Sequence, residues 1–190
     1  MHMLLKWSGI FSSLIGLVLA VYLVAIQLTG NFATVLAGEL YRSNQPTPAQ
    51  ITGYVANYGI KTIVNLRGSK PNAAWYREEV ATARALGLTL IDFDMSANRE
   101  LSVDEARQLA ALLRDAPKPL LIHCRSGSDR TGLASAIYLN QVANVDKEIA
   151  EWQLSLRFGH IGIPFVSPAY AMDESWERLE KSFAPIPEAS

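Results

Sequence analysis

One cysteine, Cys124, stands among the 190 residues, so no disulfide can form within the chain. A stapled scaffold is excluded; an oxidising compartment is not. Arsenate-reducing thiol enzymes, which usually employ further cysteines, fit this count poorly. The chain also lacks a charge excess: 17 basic and 18 acidic side chains leave a formal −1. Duplex nucleic acid, which demands a basic face, is therefore not an expected partner. There is no internal repeat and no low-complexity tract, which leaves length for one core of about 150 residues after the amino-terminal segment.

A third absence is local. Between Lys6 and Glu39 the sequence carries no charge. Trp7 to Leu28 forms a mostly apolar run of 22 residues, about 33 Å long as a helix and enough for a hydrocarbon core of roughly 30 Å. Residues 7–28 are expected to span a membrane, residues 1–30 forming an anchor. A cleaved signal ending near Val35-Leu36-Ala37 is the alternative, although signals usually have an apolar region of only ~7 to 15 residues. Lys6 precedes the span, and Glu39 and Arg42 after it cancel, so the positive-inside bias places the amino terminus in the cytoplasm. The expected location is an inner or plasma membrane crossed once, with the domain on the extracytoplasmic, periplasmic side. Residues 31–38 read as a linker and residues 39–185 as the domain.

In that domain helical and strand patterns alternate. Thr47 as N-cap, Pro48 in the first turn and Gly59 as a stop mark a helix. Residues 60–66, IKTIVNL, read as a buried strand. A helix fits 72–86, with Tyr76, Val80 and Ala83 on one face, and a strand fits 88–93. Ser102 and Glu105 form a capping box opening a helix to about Asp115, with Val103, Ala106, Leu109, Ala110 and Leu113 inward. A short strand at 120–123 precedes a helix apolar on most sides at 131–142. Asp146 caps a helix to about Leu156, and Ser167-Pro168 starts a last one to about Ser182. Trp152, Phe158 and Trp176 read as packing residues. The fold class is α/β, a central, mostly parallel sheet flanked by helices.

The chemistry concentrates in HCRSGSDRTG, residues 123–132. This stretch places Cys124 at the carboxyl end of a strand, with residues 125–130 turning into a helix, where open α/β sheets bind ligands. Converging loop amides and a helix amino terminus form an anion cradle and favour an anionic sulfur. Gly127 permits the turn, and Arg130 can return a planar fork to two phosphate oxygens. The plain alternative, Cys124 as a small buried hydrophobe, leaves the register of Gly127, Arg130, Thr131 and Gly132 unexplained.

This loop resembles the His-Cys-x5-Arg-Ser/Thr signature of the cysteine-dependent protein tyrosine and dual-specificity phosphatase superfamily. LYRSNQPT, TIVNLRG and DFDMSANRE resemble upstream segments of its compact bacterial members. The resemblance implies a phosphatase-like fold and a phosphomonoesterase that needs no metal or other cofactor. Cys124 would attack phosphorus and form a cysteinyl-phosphate, which water releases. Arg130 and the amides of Arg125, Ser126, Gly127 and Ser128 would hold the phosphate oxygens. Thr131 would assist departure of the sulfur, and His123 would orient the loop.

Such enzymes usually carry their general acid on a loop roughly thirty residues before the cysteine. Here Asp94 and Asp92 lie 30 and 32 residues before it, with Ser96, Ala97 or Asn98 as the alternative occupant of the acid position, a departure from the family's pattern. Asp129, directly before Arg130, is the first candidate, Asp94 the second and Asp92 the third. Beside a phosphate the Asp129 carboxyl would meet a like charge, which favours a protonated donor. Its structural alternative is an ion pair with Arg67 or Arg125. Arg67 and Arg125 can add cations to the substrate site, and Arg157 and His160 can line its far wall. The expected substrate is a phosphorylated lipid head group, a phosphoprotein or a soluble phosphoester. The competing function is a catalytically silent phosphate-binding module of the same fold.

Overall fold

The local signals read from the sequence mostly form the elements they predict, in a computed structural model that describes the backbone of residues 2–182 and the side chains of residues 13–182. Helix α1 (His2–Leu28) leads into strands β1 (Ala33–Leu36) and β2 (Leu40–Ser43). Then α2 (Pro48–Tyr58), β3 (Thr62–Asn65), α3 (Ala74–Ala85) and β4 (Thr89–Asp92) alternate. They are followed by α4 (Val103–Asp115), β5 (Leu120–His123) and α5 (Asp129–Gln141). A short α6 (Lys147–Glu151), a 3-10 turn (Leu156–Phe158) and α7 (Tyr170–Ser182) complete the described chain.

The five strands lie in the order β1-β2-β5-β3-β4. Only β1 runs antiparallel; β2, β5, β3 and β4 are parallel, with Ser43, His123 and Asn65 in one register row and Asp92 opposite Asn65. The sheet therefore ends at one level, and the segments after those four residues share the edge where α/β sheets hold ligands. β5 is central, and all four of its residues are buried. Its sequence, Leu-Leu-Ile-His, accordingly shows no apolar/polar alternation.

The main core fills one face of the sheet, where Leu109 and Leu113 of α4, Leu133 and Ile137 of α5 and Leu179 of α7 are fully buried. Each such side chain contributes about 1.5–3 kcal/mol of transfer free energy. Ile51 of α2 and Ala83 of α3 cover the other face through Ile63. Capping boxes close Thr47 on Gln50 and Ser102 on Glu105, as read from sequence, and Gly59 ends α2 at φ 65°.

Several expectations need correction. The 31–38 segment contains β1, which pairs with β2 across a short turn at Gly38, because its backbone finds a partner at the sheet edge. The helix capped by Asp146 ends at Glu151, well before Leu156. Trp176 and Phe158 pack inside, but Trp152 is 71% exposed. In α3, Tyr76 and Ala83 are buried and Val80 is exposed; the buried side chain between them is Glu79.

The predicted span 7–28 coincides with α1, of which residues 7–12 lie outside the described side chains. Among the described residues no helix is long and apolar enough to cross a membrane. Leu14, Ile15, Leu17, Val18, Val21, Val24 and Leu28 are all more than half exposed, so these apolar side chains among the described residues are largely uncovered.

Candidate active site

Cys124 follows β5 directly and is buried to 1% exposure. The chain then turns through Arg125, Ser126, Gly127 and Ser128 into α5, whose first helical residue is Asp129. Gly127 has φ 72°, and a Cβ there would meet the Ser43 and Asn44 backbone at 2.7 Å, so the turn excludes any side chain. Its N–H donates to Cys124 Sγ at 3.3 Å. The loop thus bends around the sulfur, as the sequence indicates.

The Arg130 guanidinium reaches across to the segments that follow β3 and β4, where Nη1 donates to the carbonyls of Leu66 (3.3 Å) and Met95 (3.2 Å). Arg130 Nε and the hydroxyl of Thr131 are buried without a hydrogen-bond partner among the described residues. Both remain available to an anion in the cradle. Arg67 is half-buried, stacked on Trp75 at 3.5 Å and donating to Gln45 Oε1 at 2.7 Å. Burial lowers its pKa, and the nearby cations of Arg130 and Arg125 lower it further. Arg125 is exposed, so three arginines gather around one thiol, a distribution suited to an anionic substrate.

His123 is fully buried, and Nε2 stands 2.6 Å from Glu79 Oε1 on α3. Gln45 Nε2 donates to the other Glu79 oxygen at 3.2 Å, so a chain of polar groups runs from His123 through Glu79 and Gln45 to Arg67. This supports an orienting role for His123, and it explains why Glu79 turns inward in place of Val80.

Of the three candidate acids, only Asp129 belongs to the loop. Asp92 accepts from Asn65 Nδ2 at 2.8 Å and from the Tyr76 hydroxyl, which ties it to the β3 and α3 framework. Asp94 lies on the rim, its side chain 70% exposed and 3.8 Å from Lys70. Asp129 pairs with neither Arg67 nor Arg125. Its Oδ1 stands 2.8 Å from His160 Nδ1, while His160 Nε2 stands 3.0 Å from Asp173 Oδ2 on α7. His160 therefore reaches the site as expected of a wall residue, but Arg157 does not: its guanidinium lies over Phe158, 5.5 Å from the ring centroid.

The braces under the loop were not legible in the sequence. Arg42 of β2 is fully buried; its Nη2 donates to the carbonyls of Gly127 (2.6 Å) and Ser128 (3.3 Å), and its Nη1 to Gln153. Burial pulls the Arg42 pKa down to about 9, against the charges of Cys124 and Asp129, which favour the cation. Asn31 Nδ2 donates to Ser126 O at 2.9 Å and Phe158 O at 2.8 Å, and Gln27 Nε2 of α1 donates to Ser126 O at 3.0 Å. Ser128 Oγ also donates to Phe158 O. These ties hold the carbonyls of Ser126, Gly127 and Ser128, while the Gly127 N–H donates to Cys124 Sγ and the Ser128 N–H to Ser126 Oγ. The one available signal was a charged residue, Arg42, between Tyr41 and Ser43 in a strand whose four residues are all buried.

A buried thiol at the end of a central parallel strand, a glycine turn and a helix start closed by arginine define a protein tyrosine phosphatase-like domain. The chain belongs to the family described as DSP-PTPase phosphatase fused to NAD+ kinase, whose model matches residues 28–160, and with it to the cysteine-dependent dual-specificity phosphatase superfamily. It is 35% identical over 115 residues to the dual specificity protein phosphatase TpbA of Pseudomonas aeruginosa, covering 60% of this chain and 49% of that protein. It is 25% identical over 151 residues to the inositol diphosphatase SIW14 of Saccharomyces cerevisiae, covering 77% and 49%. The chain thus spans about half the length of the curated relatives it matches. Among solved structures, Tk-PTP aligns at TM-score 0.63 with 15% identity, over 80% of this chain and 98% of its own. That likeness supports the α/β fold alone.

Proposed function

We propose that this protein is a phosphomonoesterase that works through a cysteinyl-phosphate. The observation that carries the reading is the braced loop: the Gly127 N–H donates to Cys124 Sγ, Arg42 holds the Gly127 carbonyl, and Arg130 Nε and the Thr131 hydroxyl are buried without a partner among the described residues. Cys124 Sγ attacks phosphorus; the S–P bond forms as the P–O bond to the leaving group breaks, and the leaving oxygen takes a proton from Asp129. Water then attacks phosphorus, the S–P bond breaks, and Asp129 accepts a proton from the water. Thr131 donates a hydrogen bond to the departing sulfur. Arg130 stabilises the equatorial oxygens in both steps. The loop itself supplies the compensating positive charge, so the route calls on no metal.

We further propose that residues 7–28 tether the domain to a membrane, with the site on the extracytoplasmic side. The exposed apolar surface of α1 supports this, and Gln27 joins the end of that helix to Ser126 of the loop. A site so close to the helix end favours a phosphorylated lipid head group, with phosphoprotein as the competing substrate; the related TpbA has been solved with phosphotyrosine. The test uses the full chain in detergent or vesicles, with phospholipids, lipid-linked sugar phosphates and phosphotyrosine peptides as substrates. Wild type should release phosphate with chelator present and be inhibited by vanadate. Cys124→Ser should lose turnover by about 10⁴-fold or more while still binding phosphate. Activity surviving in that variant would defeat the covalent mechanism, and a wild type that binds but never turns over would mark a silent binding module.

A further inference from the structure

His160 is 5% exposed and stands between two carboxylates carried by separate helices. Nδ1 lies 2.8 Å from Asp129 Oδ1, and Nε2 lies 3.1 and 3.0 Å from the two oxygens of Asp173. With Asp129 Oδ1 and the Asp173 carboxylate both accepting, both ring nitrogens donate and the ring is an imidazolium, whether or not Asp129 Oδ2 carries a proton. Burial lowers its pKa, but the hydrogen bonds and charges of Asp129 and Asp173 outweigh that and raise it to about 9. The following turn closes on the same group: a Cβ on Gly162 would lie 1.9 Å from Asp173 Oδ2, so a side chain there would push that carboxylate from its place. The 3-10 turn before His160 abuts the loop as well, through Ser128 Oγ and Phe158 O.

A clamp whose work is only to join α7 to α5 needs no carboxylate at the residue before Arg130. Moreover, the two ends of this clamp differ. Both Asp173 oxygens face His160, whereas Asp129 gives it one; Oδ2 of Asp129 makes no hydrogen bond among the described residues, and the side chain is 27% exposed. The ring therefore backs one oxygen of Asp129 and leaves the other free.

We propose that His160, carried by Asp173, is a positioning residue of the reaction that acts through Asp129. With His160 Nδ1–H donating to Oδ1, that oxygen is held as an acceptor, and the acidic proton of Asp129 is confined to Oδ2. When Oδ2 gives its proton to the leaving oxygen, the new carboxylate is stabilised by the imidazolium already in place. When water attacks the cysteinyl-phosphate, Oδ2 takes the proton back. No other reagent enters the cycle. This inference rests on the assignment of Asp129 as general acid.

The test compares kcat/KM for 4-nitrophenyl phosphate, which has a good leaving group, with that for glycerol phosphate, which has a poor one. It uses the full chain carrying His160→Ala, His160→Asn, Asp173→Asn, Asp129→Asn and the double variant Asp129→Asn/His160→Ala, each with its melting temperature. His160→Ala should lose about 30-fold on the alkyl substrate and less than about 3-fold on the aryl one. His160→Asn, whose amide can stand where Nδ1 donates, should recover most of the alkyl loss. Asp173→Asn should show the same asymmetry, smaller, and the double variant should be no slower than Asp129→Asn. Equal losses on both substrates, or additive losses in the double variant, would reduce the clamp to a structural tie and overturn the proposal. If Asp129→Asn shows the asymmetry and His160→Ala does not, only the role of His160 falls; if Asp129→Asn lacks it too, the acid assignment fails first.

Discussion

The loop after β5 and the loop after β4 lie on the same sheet edge but are held in opposite ways. The first is tied from every side: by Arg42 from β2, by Gln27 and Asn31 from the α1 end, and by the Phe158 carbonyl through Ser128. The second is anchored inside at its two ends, by buried Met95 under Arg130 and by Leu101 on Ser175, while the stretch with the charged side chains is tied only at the surface, with Asp94 beside Lys70 and Arg99 on Glu105. Surface pairs of that kind contribute about 0–1 kcal/mol, whereas a buried donor set that keeps carbonyls from being orphaned is worth several times more. The difference is that the loop tied on more sides carries both Cys124 and Asp129, and the proposed mechanism draws on that pair alone.

The largest expected effect separates the two loops directly. Asp129→Asn should lower kcat/KM for an alkyl phosphate by about 100-fold or more, and Asp94→Asn by less than about 3-fold. A reversed ranking would return the acid to the loop after β4. Next in size is the brace itself: Arg42→Met leaves the Gly127 and Gln153 carbonyls unpaired in the interior and should cost about 3–5 kcal/mol, read by denaturant unfolding. A loss below about 1 kcal/mol would mean that the loop holds itself.

A third effect follows from protonation. His160 faces Asp129 and Asp173, with Arg42 near the first and Glu151 near the second. Its pKa is raised from 6.5 to about 9, so its contribution is full below about pH 6.5 and is lost as pH rises through about 9. Wild type should therefore lose about 3 kcal/mol between pH 6.5 and pH 9.5 beyond what His160→Gln loses, and parallel curves would remove the imidazolium from the account. The smallest effect is at the α1 end of the loop, where Gln27→Ala should cost about 1 kcal/mol and leave the Ser126 carbonyl to Asn31. A fall in activity far beyond that would mean that α1 governs the loop rather than merely supporting it.

The elements that place the site were legible wherever a signal is local. Thr47 and Ser102 sit three residues from the partners that close their caps, and Cys124, Gly127 and Arg130 lie within one turn of chain, so their spacing states their geometry. Edge strand β1 was hidden because four residues flanked by Asn31 and Gly38 show no period and are strand only because β2 lies alongside. Val80 looked buried on helical periodicity, but Glu79 took the inward place. A buried carboxylate beside His123 is set by a contact 44 residues away in sequence, which no window on α3 contains.

By itself, then, the sequence determined the α/β alternation and the thiol-centred phosphate loop, because both are written in neighbouring residues whose backbone chemistry acts over one turn. Only the tertiary structure decided how that loop is held and which partner its carboxylate finds. Arg42 beneath Gly127, and His160 between Asp129 and Asp173, are pairings of buried charge between distant segments. Such pairings exist only once the sheet and helices have brought those segments within about 3 Å of each other, where the loss of hydration is offset by a partner.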